Sequence, residues 1–163
     1  MKKQNLNLSS FFIIILFTLS YAHSSEKSTL KGKAKVIDGD TIEINKEKIR
    51  FGGIDSPERK EIGYKFSKQK LKEKISKNIV TCVREKNKDI WGRTIAECFI
   101  DGKSISSFMV KNGYACDYVK YSKKKYAKEQ VYAKSKKLGI WKMKFNPSWE
   151  KKCMKNKWKK YLY

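Results

Sequence analysis

Residues 34–54 read AKVIDGDTIEINKEKIRFGGI, and in this run apolar and polar side chains alternate between groups of turn residues. The segments 34–37 and 41–44 have the period of a β-strand, and Asp38-Gly39-Asp40 between them is typical of a tight turn. A second polar turn precedes residues 48–54, whose two adjacent glycines indicate a bend or a bulge. The sequence therefore predicts a meander of three strands.

Beyond Pro57 the spacing of apolar residues changes from period two to that of a helix. Phe66, Leu71 and Ile75 recur among Lys, Gln and Glu, which predicts an amphipathic helix over residues 64–77. The remaining predicted elements are strands at residues 79–85 and 93–100, a helix from Ser104 to Asn112-Gly113 and a last helix over residues 126–138. This order of strands and helices predicts one domain of the α+β class.

The two ends of the chain differ in character from the middle. A basic start, an apolar run at residues 11–19 and small residues near Ala22 are typical of a signal peptide over residues 1–22, with a retained N-terminal anchor as the alternative. We therefore expect an exported protein, either periplasmic or secreted. Residues 30–141 are expected to form the folded domain. Residues 142–163 form a basic, aromatic C-terminal extension that is either disordered or packed back onto it.

The composition is strongly basic. The chain has 39 Lys and Arg residues against 16 Asp and Glu residues, which gives a formal net charge of +23 at pH 7. A charge of this size attracts polyanions and acts at a distance on any phosphate backbone. Charge alone does not separate DNA, RNA, anionic lipid and acidic glycan as partners.

Four cysteines in an exported chain favour disulfides over metal ligation, because none of them forms a close CxxC pair. Cys82 and Cys98 each lie in a predicted strand with a turn between them, so we expect them to be cross-strand neighbours. Cys116 and Cys153 would then pair by elimination. Four buried free thiols are the alternative, since one sequence does not fix the pairing.

An acidic cluster interrupts this basic chain at the predicted strand ends, and its members are Asp38, Asp40, Asp55 and Glu58. Converging carboxylates repel one another unless a cation neutralises them. Oxygen ligands without His or Cys select calcium or magnesium over zinc. The spacing excludes an EF-hand, because Ile42 stands where that loop needs an oxygen ligand. An ordinary polar turn around Asp38 and Asp40 is the alternative reading.

Two arginines are predicted to lie near these acids. Arg50 is on the strand that leads to Asp55, and Arg93 opens a later strand, directly after Trp91-Gly92. A guanidinium binds phosphate oxygens through two nitrogens and stabilises the charge that grows on them during phosphodiester cleavage. The pattern indicates metal-assisted phosphodiester chemistry. The alternative is a pair of surface charges bound to neighbouring glutamates.

Four short motifs, taken in order, resemble the staphylococcal (micrococcal) nuclease family. They are Val36-Ile37-Asp38-Gly39-Asp40-Thr41, Arg50 with Asp55-Ser56-Pro57-Glu58, Trp91-Gly92-Arg93 and Gly139-Ile140-Trp141. The resemblance covers residues 33–141, and the motifs are specific jointly rather than singly. It implies a five-stranded OB-fold β-barrel with three α-helices. It also implies a secreted, calcium-dependent nuclease that hydrolyses DNA and RNA with little sequence specificity and leaves 3'-phosphates.

The same resemblance implies roles for individual residues. Asp40 and Asp55 would bind calcium together with the main-chain carbonyl of Ser56, and Asp38 would assist them. Glu58 would orient or deprotonate the attacking water. The phosphate-binding residues would be Arg50 and Arg93, and the nucleotide-contacting residues would be Tyr118, Tyr121 and Trp91. Aromatic stacking tolerates any base, which suits an enzyme without sequence preference.

Three departures from the family pattern concern details. Ser56 replaces a threonine, Ile90 and Trp91 replace a lysine and a tyrosine that touch substrate, and the loop at residues 59–63 is short. Two alternatives to a nuclease remain. One is a catalytically weak OB-fold module that binds nucleic acid, and the other is a cationic envelope protein whose lysines bind anionic lipid or wall polymer. No dedicated protein partner is implied, and we expect a monomer.

Overall fold

The computed structural model describes residues 28–143 and Cys153. The predicted signal peptide and most of the predicted C-terminal extension lie outside the described residues. In chain order the elements are β1 (Thr29–Lys33), β2 (Lys35–Asp38), β3 (Thr41–Ile44), β4 (Glu47–Phe51), β5 (Ile54–Asp55), α1 (Tyr64–Ile75), β6 (Ile79–Lys88), β7 (Thr94–Ile100), β8 (Lys103–Ser104), α2 (Ile105–Lys111), β9 (Cys116–Asp117), α3 (Val119–Ser122), α4 (Ala127–Ser135) and a 3-10 helix (Gly139–Lys142).

The main sheet curls into a barrel. Its strand order is β1-β6-β7-β4-β3-β2, and β4 pairs with β7 in parallel while the other neighbours are antiparallel. Ala34 alone separates β1 from β2 in the chain, yet these two strands lie at opposite ends of the order. Counted as one bent strand, they make five strands with β3, β4, β6 and β7. The predicted α+β class and five-stranded OB-fold barrel are confirmed.

The barrel core follows from the period-two alternation of its strands. Along β7 every second residue from Thr94 to Ile100 is buried, and Ile42 and Ile44 of β3 and Ile49 of β4 are fully buried. Side chains at alternate positions of a strand point to the same face, so these residues fill the barrel. Burial of apolar surface at this scale is the main favourable term of folding.

The three predicted helices are confirmed as α1, α2 and α4. Leu71 and Ile75 bury one face of α1, and Ser104 caps α2 through a hydrogen bond from the Ser107 amide to the Ser104 Oγ, 3.0 Å long. The short helix α3 was not predicted. None of the helices in residues 28–143 has both the length and the apolar character of a membrane-crossing segment.

Two boundaries differ from the sequence expectation for local reasons. The predicted strand at residues 48–54 is two strands, β4 and β5, because the chain bends at Gly52-Gly53 and Gly53 takes a φ of 74°. The left-handed conformation there is the bend that the paired glycines indicated. Strand β6 extends to Lys88 instead of residue 85, because Lys88 pairs with Thr94 beyond an irregularity in the ladder.

Both predicted disulfides are present. Cys82 lies directly opposite Cys98 in the β6–β7 ladder, and their Cα atoms are 4.0 Å apart. Cys116 is bonded to Cys153, with 5.7 Å between the Cα atoms. All four cysteines are buried, and none of them is free. The alternative of four thiols is therefore wrong.

Candidate active site

Arg50 joins two buried carboxylates. It lies on β4 opposite Thr41 of β3, which places it beside Asp40 in the preceding turn and Asp55 on β5. Its Nη1 is 2.7 Å from the Asp40 Oδ2, and its Nη2 is 3.1 Å from the Asp55 Oδ1. Burial lowers the pKa of the Arg50 guanidinium, but the two carboxylates outweigh burial and raise that pKa above its usual value.

Two glycines let the chain bring these acids together. A Cβ at Gly39 would lie 2.8 Å from the Cβ and Oγ of Ser56, so the turn between the first two acids packs directly on Ser56. The Ser56 amide donates to the Asp40 Oδ2 at 3.1 Å, and the Thr41 hydroxyl donates to the Asp40 Oδ1 at 3.0 Å. At Gly53 a Cβ would meet Ser122 at 2.7 Å. Larger residues at either glycine would separate the segments that carry the site.

Arg93 approaches the same cluster from the β6–β7 turn. Its Nη1 donates to the Thr41 Oγ1 at 3.4 Å, and Thr41 in turn contacts Asp40. Asp89 holds the other side of this arginine, with 2.6 Å from its Oδ2 to the Arg93 Nε and 2.8 Å from its Oδ1 to the Arg93 amide. Both arginines therefore belong to one hydrogen-bonded network around Asp40.

Asp89 was missed by the sequence analysis. Burial raises the pKa of Asp89, but hydrogen bonds from the Arg93 backbone and side chain outweigh burial and lower the pKa below its usual value. The carboxylate therefore stays charged and fixes the Arg93 guanidinium. Its position four residues before Arg93, in a polar turn, was the only available signal.

Trp91 stands at the exposed edge of this network. Its side chain is 72% exposed, and its ring centre lies 5.0 Å from the Arg93 guanidinium carbon. The neighbouring Ile90 is 89% exposed. The structure therefore places an exposed aromatic ring beside an arginine that Asp89 fixes.

Tyr118 and Tyr121 form a second aromatic group beside β5. Their ring centroids are 4.8 Å apart with an edge-to-face angle of 82°. The Tyr118 amide donates to the Gly53 carbonyl at 2.9 Å, which attaches this pair to the strand that carries Asp55. Tyr121 is more than half exposed, so its ring is accessible from solvent.

The other two predicted acids contact helix α1 and the loop before it. Asp38 accepts a hydrogen bond of 2.7 Å from the hydroxyl of Tyr64, the first residue of α1. Glu58 is exposed, and its amide donates to the Glu61 Oε2 at 2.7 Å. Across residues 28–143, no three His, Cys, Asp or Glu side chains gather in the manner of a metal site. Of the four predicted acids, Asp40 and Asp55 share contacts with Arg50.

The residues present fit a hard divalent cation. Asp40 and Asp55 are 3% and 2% exposed, and both of their carboxylates face the positive charge of Arg50. All four cysteines are bonded in disulfides, which removes thiolate ligands from the donor set. Two buried carboxylates supply the hard oxygen ligands that calcium takes. The same set is a poor match for zinc.

Fold and site together define the class, an OB-fold barrel with an arginine–carboxylate centre at its edge. The sequence profile described as staphylococcal nuclease homologue matches residues 48–143. The chain belongs to this family.

Three relatives illustrate the similarity. The chain is 34% identical to the succinoglycan biosynthesis protein ExoI of Rhizobium meliloti, over 68% of this chain and 63% of that protein. It is 34% identical to an uncharacterized endonuclease of Haemophilus influenzae, over 79% of this chain and 75% of that protein. It is 35% identical to the staphylococcal-like nuclease CAN1 of Arabidopsis thaliana, over 59% of this chain and 30% of that protein.

Proposed function

We propose that this protein is an exported, calcium-dependent nuclease that hydrolyses phosphodiester bonds in DNA and RNA with little sequence specificity and leaves 3'-phosphates. The observation that carries the proposal is the network in which Arg50 and Arg93 both reach Asp40, directly or through Thr41. Relatives named as endonucleases and a nuclease support it. Under this proposal the basic surface attracts the polyanionic substrate.

Arg50 and Arg93 bind the scissile phosphate in this proposal. Each guanidinium is held on one side by carboxylates, Arg50 by Asp40 and Asp55 and Arg93 by Asp89. Preorganised donors stabilise charge that develops on phosphoryl oxygens without first having to reorient. A lysine at either position would supply the charge but lose the fixed, planar pair of donors.

Asp40 and Asp55 are the proposed calcium ligands, with the main-chain carbonyl of Ser56 beside them and Asp38 in support. The Ser56 amide already contacts the Asp40 carboxylate, and this contact keeps the two segments together. When bound there, calcium would polarise a phosphoryl oxygen and neutralise the two acids. Asp40 and Asp55 hold the two terminal nitrogens of Arg50, and this fixes the orientation of the guanidinium.

Glu58 is the proposed residue that orients or deprotonates the attacking water. Its side chain is exposed at the start of the loop that follows β5, while its amide is held by Glu61. An exposed carboxylate is a weak base at neutral pH, so its contribution would come chiefly from positioning water.

Trp91, Tyr118 and Tyr121 are the proposed contacts to the nucleotide bases. Stacking contributes about 1 to 3 kcal/mol for each base and does not depend on its identity, which agrees with low specificity. Two disulfides support an exported protein, periplasmic or secreted, because such bonds persist in oxidising compartments. Association with an anionic surface would follow from the same positive charge, and a monomer is sufficient for the proposed activity.

The test is hydrolysis of single-stranded DNA, duplex DNA and RNA by the purified protein, with analysis of the product ends. We expect all three to be cut in calcium, with 3'-phosphate ends. Replacing Arg93→Lys should reduce turnover by about two to three orders of magnitude while the fold is kept. Binding of single-stranded DNA without cleavage by the wild-type protein would contradict the proposal and assign the OB-fold binding module instead.

A further inference from the structure

Asp55 belongs to a strand pair that lies outside the main sheet path. Strand β5 pairs with β9, and both strands have two residues, so that Asp55 lies opposite Cys116 and Ile54 opposite Asp117. A two-residue pair has few ladder hydrogen bonds and is weak by itself. The backbone that presents the Asp55 carboxylate therefore depends on what holds β9.

A covalent bond holds one end of β9. Cys116, the residue opposite Asp55, is bonded to Cys153, and both sulfur-bearing side chains are fully buried. The two cysteines are 37 residues apart in the chain. Cys153, far along the sequence, is thus attached to the strand that pairs with the one carrying Asp55.

Gln130 of α4 contacts both strand β9 and Cys153. Its side chain is fully buried, and its Oε1 accepts a hydrogen bond from the Asp117 amide at 2.7 Å. Its Nε2 donates to the Cys153 carbonyl at 3.4 Å. One side chain therefore connects β9 to the residue that closes the disulfide.

We propose that the Cys116–Cys153 disulfide and Gln130 form a clamp that positions Asp55 for calcium binding. This role rests on the proposed function, in which Asp55 is a ligand. None of its members is a proposed contact to calcium or substrate, so they are positioning residues. It restrains β9, β9 restrains β5, and β5 fixes the carboxylate opposite Arg50. Loss of the clamp weakens calcium binding because ligands that must be ordered on binding bind less tightly.

The experiment compares two double variants of the full chain, each lacking one disulfide. The test variant is Cys116→Ala with Cys153→Ala, and the matched control is Cys82→Ala with Cys98→Ala. The control bond joins β6 to β7 within the barrel wall and closes a loop of 16 residues. A third variant, Gln130→Met, keeps both disulfides and removes only the polar contacts of the clamp.

Two quantities are measured at a temperature where all variants are folded. The first is the calcium dissociation constant by calorimetry, and the second is hydrogen exchange of β5 and β9 amides in the calcium-free protein. We expect the test variant to bind calcium about 10- to 100-fold more weakly and to exchange these amides faster, with a smaller effect in Gln130→Met. The control should keep the wild-type calcium constant and exchange faster in β6 and β7 instead.

Equal calcium dissociation constants in the test and control variants would overturn the clamp proposal. Unchanged hydrogen exchange of the β5 and β9 amides in the test variant would overturn it as well. The proposed function is judged separately, from hydrolysis by the wild-type protein in calcium. If the wild type cleaves and the two disulfide variants behave alike, the clamp fails while the nuclease stands. If the wild type does not cleave but exchange changes as expected, the nuclease fails while the structural restraint on Asp55 stands.

Discussion

At Arg50 a single guanidinium serves two carboxylates whose side chains are 4% and 3% exposed. Removing one partner of a buried ion pair leaves a charge without compensation, which is more destabilising than never having placed the pair there. Asp40 and Asp55 therefore depend on Arg50 for folding, and in the proposed function they depend on calcium as well. The two cations stabilise the same negative charge.

This dependence predicts the stability of an Arg50→Met variant. In EGTA the free energy of unfolding should fall by about 3 to 5 kcal/mol, because both carboxylates stay buried without a counter-charge. Calcium should recover a large part of that loss. Urea unfolding in EGTA and in calcium measures both quantities. Arg84→Met, which breaks the more exposed pair with Glu47, is the control and should cost about 1 kcal/mol or less. Equal losses in the two variants would contradict the assigned role of Arg50.

Trp91 and Ile90 form a natural pair of test residue and control, because both are exposed neighbours in one turn. Replacing Trp91→Ala removes the ring beside Arg93 and should raise KM for single-stranded DNA about tenfold, the loss of one stacked base. Ile90→Ala should leave KM close to wild type. Steady-state kinetics on a short oligonucleotide measure this. A similar change of KM in both variants would show that loss of any exposed apolar side chain in this turn, and not loss of stacking, is responsible.

At the scale of elements, patterns with a clear period were predictable and very short elements were not. Alternation along residues 34–54 predicted strands β2, β3 and β4, since it records which face of each strand is buried. The two later strand predictions, with a turn between them, indicated that Cys82 and Cys98 would be cross-strand neighbours, and the β6–β7 ladder confirms it. Strand β9 and helix α3 have two and four residues and therefore no period, so neither was predicted. Because β9 was not predicted, the pairing of Cys116 with Asp55 was not predicted either.

The site was predictable in its residue types but only partly in its contacts. Turn residues and strand order indicated that Arg50 would lie near Asp40 and Asp55. The hydrogen bond between Tyr64 and Asp38 joins residues 26 positions apart, and no local pattern reports it. The role of Asp89 depends on the conformation of the β6–β7 turn, in which its carboxylate accepts hydrogen bonds from the amides of Trp91 and Arg93. Contacts of this kind become visible only in three dimensions.

Glu47 connects three strands of the barrel and makes the stability of the fold depend on pH in the acid range. It lies on β4 and accepts hydrogen bonds from Arg84 on β6 and Thr94 on β7, with the shortest donor–acceptor distance at 2.7 Å. The hydrogen bonds from Arg84, followed by that from Thr94, lower the pKa of Glu47 from 4.5 to about 2. A lowered pKa means that the charged form stabilises the folded state.

The stabilisation by Glu47 should be complete above pH 4.5 and should disappear as pH falls toward 2. Because the pair with Arg84 is partly exposed, we expect it to contribute about 1 kcal/mol. Denaturant unfolding from pH 7 to pH 2 should show a Glu47→Gln variant that is less stable than wild type at pH 7 and nearly equal to it at the acid end. A difference in the free energy of unfolding between the two proteins that stays constant with pH would contradict this. Glu43→Gln on β3 is the control.

At the scale of the whole molecule, a strongly basic chain folds around a small acidic centre. The net charge of +23 attracts polyanions, whereas the buried carboxylates of Asp40 and Asp55 are paired with Arg50, and Arg93 reaches Asp40 through Thr41. In the proposed function the basic surface attracts the nucleic acid, while the arginine–carboxylate centre carries out the hydrolysis. Membership of the staphylococcal nuclease homologue family agrees with this arrangement.

The most direct test of the account is the rate of single-stranded DNA hydrolysis as a function of free calcium, for wild type and for Asp55→Asn. We predict that the wild-type rate saturates with calcium and falls to background in EGTA. The Asp55→Asn rate should require about 10- to 100-fold more calcium or remain at background. Wild-type hydrolysis that persists in EGTA, or an Asp55→Asn curve that overlies the wild-type curve, would contradict it.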